Sequence, residues 1–326
     1  MTNFRTELHI EPSANPIGLS HPICTAGSCF ADAIGNRLQE NKFNTLINPM
    51  GITYNPHSIH TQLLYALHNQ PIPEHTFIEN NGIHVNYNFH SEFSALSKPD
   101  LIRKLSENIG HVHYFVRDTR WLIITYGTAW VYSRKDTGEI VANCHKMPQA
   151  LFEKELYTQK KMLDSFEELH KELKAFNPSI NILLTVSPVR HIKDSISLNS
   201  VSKAVLRLGC HTLSEQYPDV HYFPAYELVM DDLRDYRFYK GDLIHPSQEA
   251  ENYIWEKFTD SHLDKEAKSF VENWRDILSA LRHKPFHPSS PSHQSFLKDL
   301  LSKLERLKGR INVEKELANV NAQLNT

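Results

Sequence analysis

Glycine is scarce in this chain. Its 326 residues include 11 glycines, about half the usual share, so each one present marks a place where the backbone turns sharply or comes close to something. The four cysteines (Cys24, Cys29, Cys144 and Cys210) form no CxxC pair and no dense framework. That excludes a disulfide-stapled or zinc-ribbon protein and predicts free thiols in a reducing compartment. No apolar run approaches the ~18 residues of a membrane span. The opening MTNFRTELHIEPSANPIG lacks the basic-then-apolar pattern of a secretory leader, so the expected location is cytoplasmic. A net charge of −3 carries no footprint of a nucleic-acid binder. GxGxxG, P-loop, HExxH and EF-hand patterns are all absent, and neither cofactor nor metal is expected. The 20 histidines point to metal at first sight. Yet neither His57 with His60, nor His111 with His113 if that stretch is extended, has further ligands at suitable spacing.

What is present reads as strands alternating with helices. ICTAG (23–27) runs into FADAIGNRLQEN, where Phe30, Ile34 and Leu38 recur every four residues. A short strand in NTLINPMG breaks at Asn48-Pro49, and a helix follows over SIHTQLLYALHN with Ser58 as candidate N-cap. TFIENNGIHVNYNF alternates about Asn81-Gly82, a hairpin signal. WLIITYGTAW predicts one buried strand, and a second hairpin turns near Asp136–Gly138. A long helix is predicted over 151–176, a strand in NILLTVSP, a helix over 199–216, a last strand in HYFPAYELV and a helix in SQEAENYIWEKF. Continuous Ile/Leu/Val strands between helices imply a parallel sheet of about five strands covered on both faces, with hairpin insertions.

The C-terminus differs in composition. A helix over 262–284 leads to a Pro/Ser/His linker near 284–294, then to a charged helix with Leu300, Leu304, Leu307 and Ile311 on one stripe. If continuous, that helix would project roughly 45 Å. Docking on the domain, or pairing with a second copy or a partner, would cover its stripe. The domains expected are therefore 1–260 and a helical extension over 261–326.

In an open α/β sheet, ligands bind at the carboxyl ends of the strands, where Gly27, Gly51 and Gly127 fall; Gly241 sits four residues before His245. Ser28, at a strand-to-helix junction, lies where free N–H groups and the helix dipole favour negative charge. It reads either as a nucleophile with its own N–H as oxyanion donor, or as a helix cap. In Asp242-Leu243-Ile244-His245 one turn lets the carboxylate reach Nδ1 of the imidazole and frees Nε2 to take a serine proton; a surface turn has the same spacing. Cys29, on the first turn, is an alternative nucleophile whose pKa the helix terminus would lower, but its side chain points about 100° away from that of Ser28, which favours a packing role. Arg190, His191 and His145 stand near the expected face, Arg190 either as a binder of an anionic or carbonyl group or as the partner of a carboxylate. Tyr126, Trp130, Tyr132 and Tyr236 are candidates for a sugar or acyl pocket, or for the core.

TAGSCFADAIGNRL resembles the signature of the GSCFA family, whose name repeats residues 27–31. NPMGITYNPHSI, TYGTAWVY, NCHKMP, SPVRHIKD and GDLIHPS resemble further blocks in the same order, over roughly Phe4 to Phe258. The resemblance implies a flavodoxin-like three-layer α/β/α fold of the SGNH (GDSL-like) hydrolase superfamily. It also implies a serine esterase acting on a small-molecule or carbohydrate acyl ester. Ser28 would be the nucleophile, His245 the base, Asp242 its orienting acid, and Gly51 an oxyanion donor. Acyl transfer would use the same triad, and a non-catalytic binding module could keep the same fold. The superfamily's G-x-N block here reads Gly127-Thr128-Ala129 without the asparagine. Thr128 would then donate in its place, or Asn143 or Asn55 would, Asn143 being favoured.

Overall fold

In the computed structural model, which describes residues 5–324, a five-stranded, all-parallel sheet forms the centre of the chain. Strands β1 (Ile23–Gly27), β2 (Thr45–Ile47), β5 (Trp121–Tyr126), β9 (Asn181–Val186) and β10 (Val220–Tyr222) lie in the order β2-β1-β5-β9-β10. Counted among themselves they read 2-1-3-4-5, the doubly wound order of flavodoxin; the alternating pattern predicted the parallel sheet, and the family resemblance implied the flavodoxin-like order. The order reverses between β1 and β5, so the crevice at the carboxyl ends of those two strands is where this topology places a ligand.

The strand period of two divides the core into two faces. Ile23, Trp121, Ile123 and Leu183 pack with residues of α1 (Cys29–Glu40) and α7 (Gln248–His262). Their neighbours Cys24, Leu122, Ile124, Ile182 and Leu184 pack with α2 (Pro56–His68), α3 (Lys98–Asp118), α4 (Gln159–Phe176) and α5 (Ile196–Gln216). Two insertions sit where hairpins were expected. β3 (Phe77–Asn80) and β4 (Ile83–Asn86) pair across Asn81-Gly82, both at positive φ. β6 (Trp130–Arg134), β7 (Ile140–Val141) and β8 (Phe152–Leu156) form an antiparallel sheet in the order β7-β6-β8.

Several local readings are corrected. WLIITYGTAW is two strands, because the Gly127 and Thr128 N–H groups turn aside to donate to the Tyr54 carbonyl. Residues 151–176 are not one helix. Phe152–Leu156 pair with β6, and α4 starts only after Thr158 caps the Lys161 N–H. Ser58 is not the cap of α2: Asn55 is, accepting from the Ser58 N–H at 2.9 Å. Residues 98–118 are helical, with Leu101, Leu105, Ile109, Val112 and Val116 buried on one stripe. His111 and His113 therefore do not share a face, and His113 bonds the Ala66 carbonyl.

The C-terminal stripe does not project. After β10, one helical turn, α6 (Ala225–Glu227), continues as a π-helical turn over Leu228–Leu233. Beyond α7 come α8 (Lys265–Arg282), α9 (Pro291–Leu307) and α10 (Glu314–Leu324). Pro291 already lies in α9 behind the Ser290 cap, so the linker is shorter than predicted. The chain reverses at 308–313, with Gly309 at φ 90°, and α8 to α10 enclose a separate cluster around Trp274, Leu300, Leu304 and Val320. Trp274 Nε1 donates to the Glu40 carbonyl at 2.8 Å, and Lys42 pairs with Glu316, docking this unit on the end of α1. Among the described residues, no helix is long and apolar enough to cross a membrane. Residues 1–4 and 325–326, at the ends of the two expected domains, lie outside the described residues.

Gly27 ends β1 at φ 130°, and a Cβ there would stand 2.2 Å from the Thr125 carbonyl oxygen. Gly27→Ala is expected to lower the unfolding free energy by at least about 2 kcal/mol in urea denaturation, from the forced backbone shift and the disfavoured φ together.

Candidate active site

Ser28 follows Gly27 at the carboxyl end of β1. It is 1% exposed, and its Oγ caps α1 by accepting the Phe30 N–H at 3.3 Å. Its own N–H does not point into the crevice as the sequence reading expected. It donates to the Thr125 carbonyl at 3.0 Å, because the β1–β5 ladder continues one residue past Gly27. Of the first N–H groups of α1, Ala31's returns to the Ser28 carbonyl. Cys29 N–H bears on its own thiol and bonds no other described residue, so the helix terminus leaves it available to a ligand. The Cys29 thiol does not fit an activated nucleophile: burial pushes its pKa up.

Asn48 holds this turn. Its Oδ1 accepts the Gly27 N–H at 2.7 Å, and its Nδ2 donates to Asp32 Oδ1 at 2.6 Å and more distantly to the Ser28 carbonyl. Asn48 sits at φ 39°, a conformation that asparagine tolerates better than most residues. On the other side of the turn, Thr53 N–H donates to the Gly27 carbonyl at 2.9 Å.

The Asp242–His245 loop forms as its spacing predicted. Asp242 Oδ2 bonds His245 Nδ1 at 2.7 Å, while Oδ1 accepts the Ile244 and His245 N–H groups at 2.9 and 3.0 Å. Those two N–H groups, and then the imidazole, hold the carboxyl well below the usual carboxylate range. Leu243 adopts φ 57° to close the turn. The loop lies over the carboxyl end of β9, where the Ile244 carbonyl accepts the Arg190 N–H at 3.3 Å. His191 links the two halves of the site. Its ring stands edge-on to Tyr54 at 5.1 Å and approaches Gly127. Burial first, then the charges of Lys203 and His245, push its pKa down to about 4.

The remaining candidates separate. Gly51 N–H closes a turn onto the Asn48 carbonyl, and the Gly127 and Thr128 N–H groups both serve Tyr54. Thr128 Oγ1 shares a hydrogen bond with Ser202 and accepts from Trp130 N–H. Asn55 is engaged as a cap. Asn143 bonds within the insertions: its N–H donates to the Tyr87 carbonyl and its Oδ1 accepts from His145 N–H. His145 is buried with Nε2 on the Asn86 carbonyl. Tyr126 is core, its hydroxyl bonded to buried His60, while Trp130 and Tyr132 lie under Lys154 on the inserted sheet. Tyr236 does line a pocket. With Arg190, Tyr226, Met230, Arg234 and Tyr239 it borders a cavity of about 380 Å³, and the Arg190 guanidinium stands 4.3 Å over the Tyr239 ring. No group of three or more metal-ligating side chains is gathered among the described residues.

Asn48, Tyr54 and Lys203 were missed. Asn48 had a signal, an asparagine between a strand and a proline, which the reading took only as a break. Asn48→Ala is expected to lower stability by about 1–3 kcal/mol in thermal or urea unfolding, since it strips an acceptor from the Gly27 N–H and a donor from half-buried Asp32.

Comparison with known proteins bears on the whole arrangement. No curated protein matches the chain. Among solved structures, one match is an acetyl xylan esterase (Est2A) from the rumen bacterium Butyrivibrio proteoclasticus, at 11% identity and a TM-score of 0.31. It covers 81% of this chain and 66% of that one, so the chain spans just under two thirds of that protein's length. The sequence pattern of the GSCFA domain protein C-terminal domain matches residues 274–326, most of the α8–α10 unit. The pattern of the GSCFA family matches residues 22–258, from the start of β1 through Ser28 and the Asp242–His245 loop into α7, and the chain belongs to that family.

Proposed function

We propose that the protein is a serine esterase of the SGNH type, cleaving an O-acyl ester of a small molecule or carbohydrate. The Asp242–His245 pair carries this reading. The carboxylate fixes Nδ1 as the protonated nitrogen and leaves Nε2 with its lone pair free, on the same carboxyl edge of the sheet where Ser28 caps α1. In the first half-reaction Ser28 Oγ attacks the ester carbonyl carbon and His245 Nε2 takes the hydroxyl proton. The carbonyl oxygen becomes an oxyanion that the Cys29 N–H and the positive end of α1 favour. Collapse breaks the ester C–O bond, and the proton passes from Nε2 to the departing alkoxide. A water attacks the acyl-Ser28 ester in the second half, gives its proton to Nε2 and releases the carboxylic acid, the proton returning to Ser28 Oγ. An alcohol in place of that water gives acyl transfer. The cavity beside Arg190 is the proposed place for the rest of the substrate, with tyrosine rings for a sugar or acyl face and the guanidinium for a carbonyl or anionic group.

A second reading, a non-catalytic binding module, draws on the near-complete burial of Ser28 Oγ beneath its capping role.

A fluorophosphonate probe separates the two, with the adduct located by mass spectrometry. Ser28 is expected to be labelled, Ser28→Ala and His245→Ala to be inert, and Asp242→Asn to react about 10²–10⁴-fold more slowly. An unlabelled Ser28, under conditions where other serine hydrolases react, would favour the binding module. On an ester substrate, Arg190→Ala is expected to raise KM about tenfold with kcat little changed, the signature of lost uniform binding; an unaltered KM would place the substrate elsewhere.

A further inference from the structure

Lys203 is 1% exposed, at the middle of α5, among buried Asn199, Ser202, Leu206 and Cys210. Its Nζ donates to the Gly127 carbonyl at 2.7 Å and to the Ser187 carbonyl at 2.6 Å. Those carbonyls lie one residue past the ends of the adjacent strands β5 and β9, and β5 is one of the two strands whose carboxyl ends form the crevice. No carboxylate lies within ion-pair distance of this amine among the described residues. The groups that face it are the Cys29 thiol from α1, the His191 imidazole from the loop after β9, and the Tyr226 ring, 5.9 Å away on α6. Beside it, Ser202 Oγ accepts the Ala129 N–H at 2.7 Å and shares a bond with Thr128 Oγ1. Consecutive residues of α5 thus grip Gly127, Thr128 and Ala129, the turn standing where the family resemblance led us to expect an asparagine donor.

A neutral amide could tie two carbonyls together at less desolvation cost than an ammonium. What lysine adds is charge. It lies close enough to α1 to act on the Cys29 thiol, next to Ser28, so it reinforces the positive helix terminus there. We propose that Lys203 is a positioning residue of the Ser28 site, whose ammonium, fixed on the Gly127 and Ser187 carbonyls, supplies the positive charge that stabilises the oxyanion at Ser28. The inference rests on the esterase reading above.

The arrangement makes that charge titratable without dismantling the site. Burial pushes the Lys203 pKa down to about 7. A neutral amine still has two N–H groups for the same two carbonyls, so deprotonation removes the charge and leaves the hydrogen bonds in place. Lys203 is charged below about pH 7 and neutral above it, so oxyanion stabilisation is present at lower pH and lost as pH rises.

The test is the rate of Ser28 phosphonylation by the fluorophosphonate probe from about pH 6 to about pH 9, in wild type, Lys203→Met and Lys203→Gln, with circular dichroism confirming the fold. Wild type is expected to slow about tenfold or more as pH rises through the range where Lys203 loses its proton. Both variants are expected to react about tenfold or more slowly at the wild-type optimum and to lack the falling limb. Should only one variant fold, that variant decides. A profile of wild-type shape in a folded variant, whether unchanged or scaled down, overturns the proposal and leaves the esterase reading standing. No labelling of wild type at any pH overturns both.

Discussion

The site depends on how closely two backbones can approach at the end of β1. Gly27 presses against the Thr125 carbonyl at a φ that only glycine adopts at little cost, with no room for a Cβ. That approach lets the ladder run one residue further, to the Ser28 N–H, before the chain turns into α1. Ser28 is thereby fixed on both sides: its N–H belongs to the sheet, and its Oγ belongs to the helix it caps. Asn48 completes the constraint by receiving the Gly27 N–H and holding Asp32 on the first turn of α1. The serine is positioned by the sheet topology rather than by a flexible loop.

The electrostatics follow from the same geometry. At the carboxyl edge the structure gathers the N-terminus of α1, with Cys29 N–H bonded to no other described residue, and the buried amine of Lys203. The carboxylate proposed to orient the base, Asp242, is turned toward His245 and its own loop's N–H groups. Asp32 lies on that first turn too, but burial raises its pKa and Asn48 holds it. The resulting field favours negative charge beside Ser28, and the proposed proton acceptor, His245, sits on a separate loop.

Sheet and dyad were legible in the residues for physical reasons. Buried parallel strands must be continuously apolar, and WLIITY and NILLTV are. A carboxylate three residues before a histidine closes one turn, and Asp242 and His245 do so at 2.7 Å. The oxyanion side was less legible, because backbone N–H groups carry no letter of their own. The acceptors that claim those of Ser28, Gly51 and Gly127 come from distant or turn-forming segments. Lys203 did have a signal: it falls on the buried stripe of α5 with Leu206, Cys210 and Leu213, where a solvated lysine would not. The stripe of α3 was equally regular, but no helix was read there, and His111 and His113 were weighed only as an extended pair. At the C-terminus, the periodicity of Leu300, Leu304 and Leu307 identified a helix. It could not say that Gly309 would let the chain reverse and supply α10 as its partner.

The central claim is that Ser28 and His245 act on one carbonyl carbon. The most direct measurement is a crystal structure of the protein after reaction with the phosphonate, beside that of the unreacted protein. The account predicts a Ser28 Oγ to His245 Nε2 separation within about 2.6–3.2 Å, or slightly beyond before reaction, and the phosphonyl oxygen on the Cys29 N–H. Oγ and Nε2 opening into separate regions, or the adduct on another side chain, would contradict it.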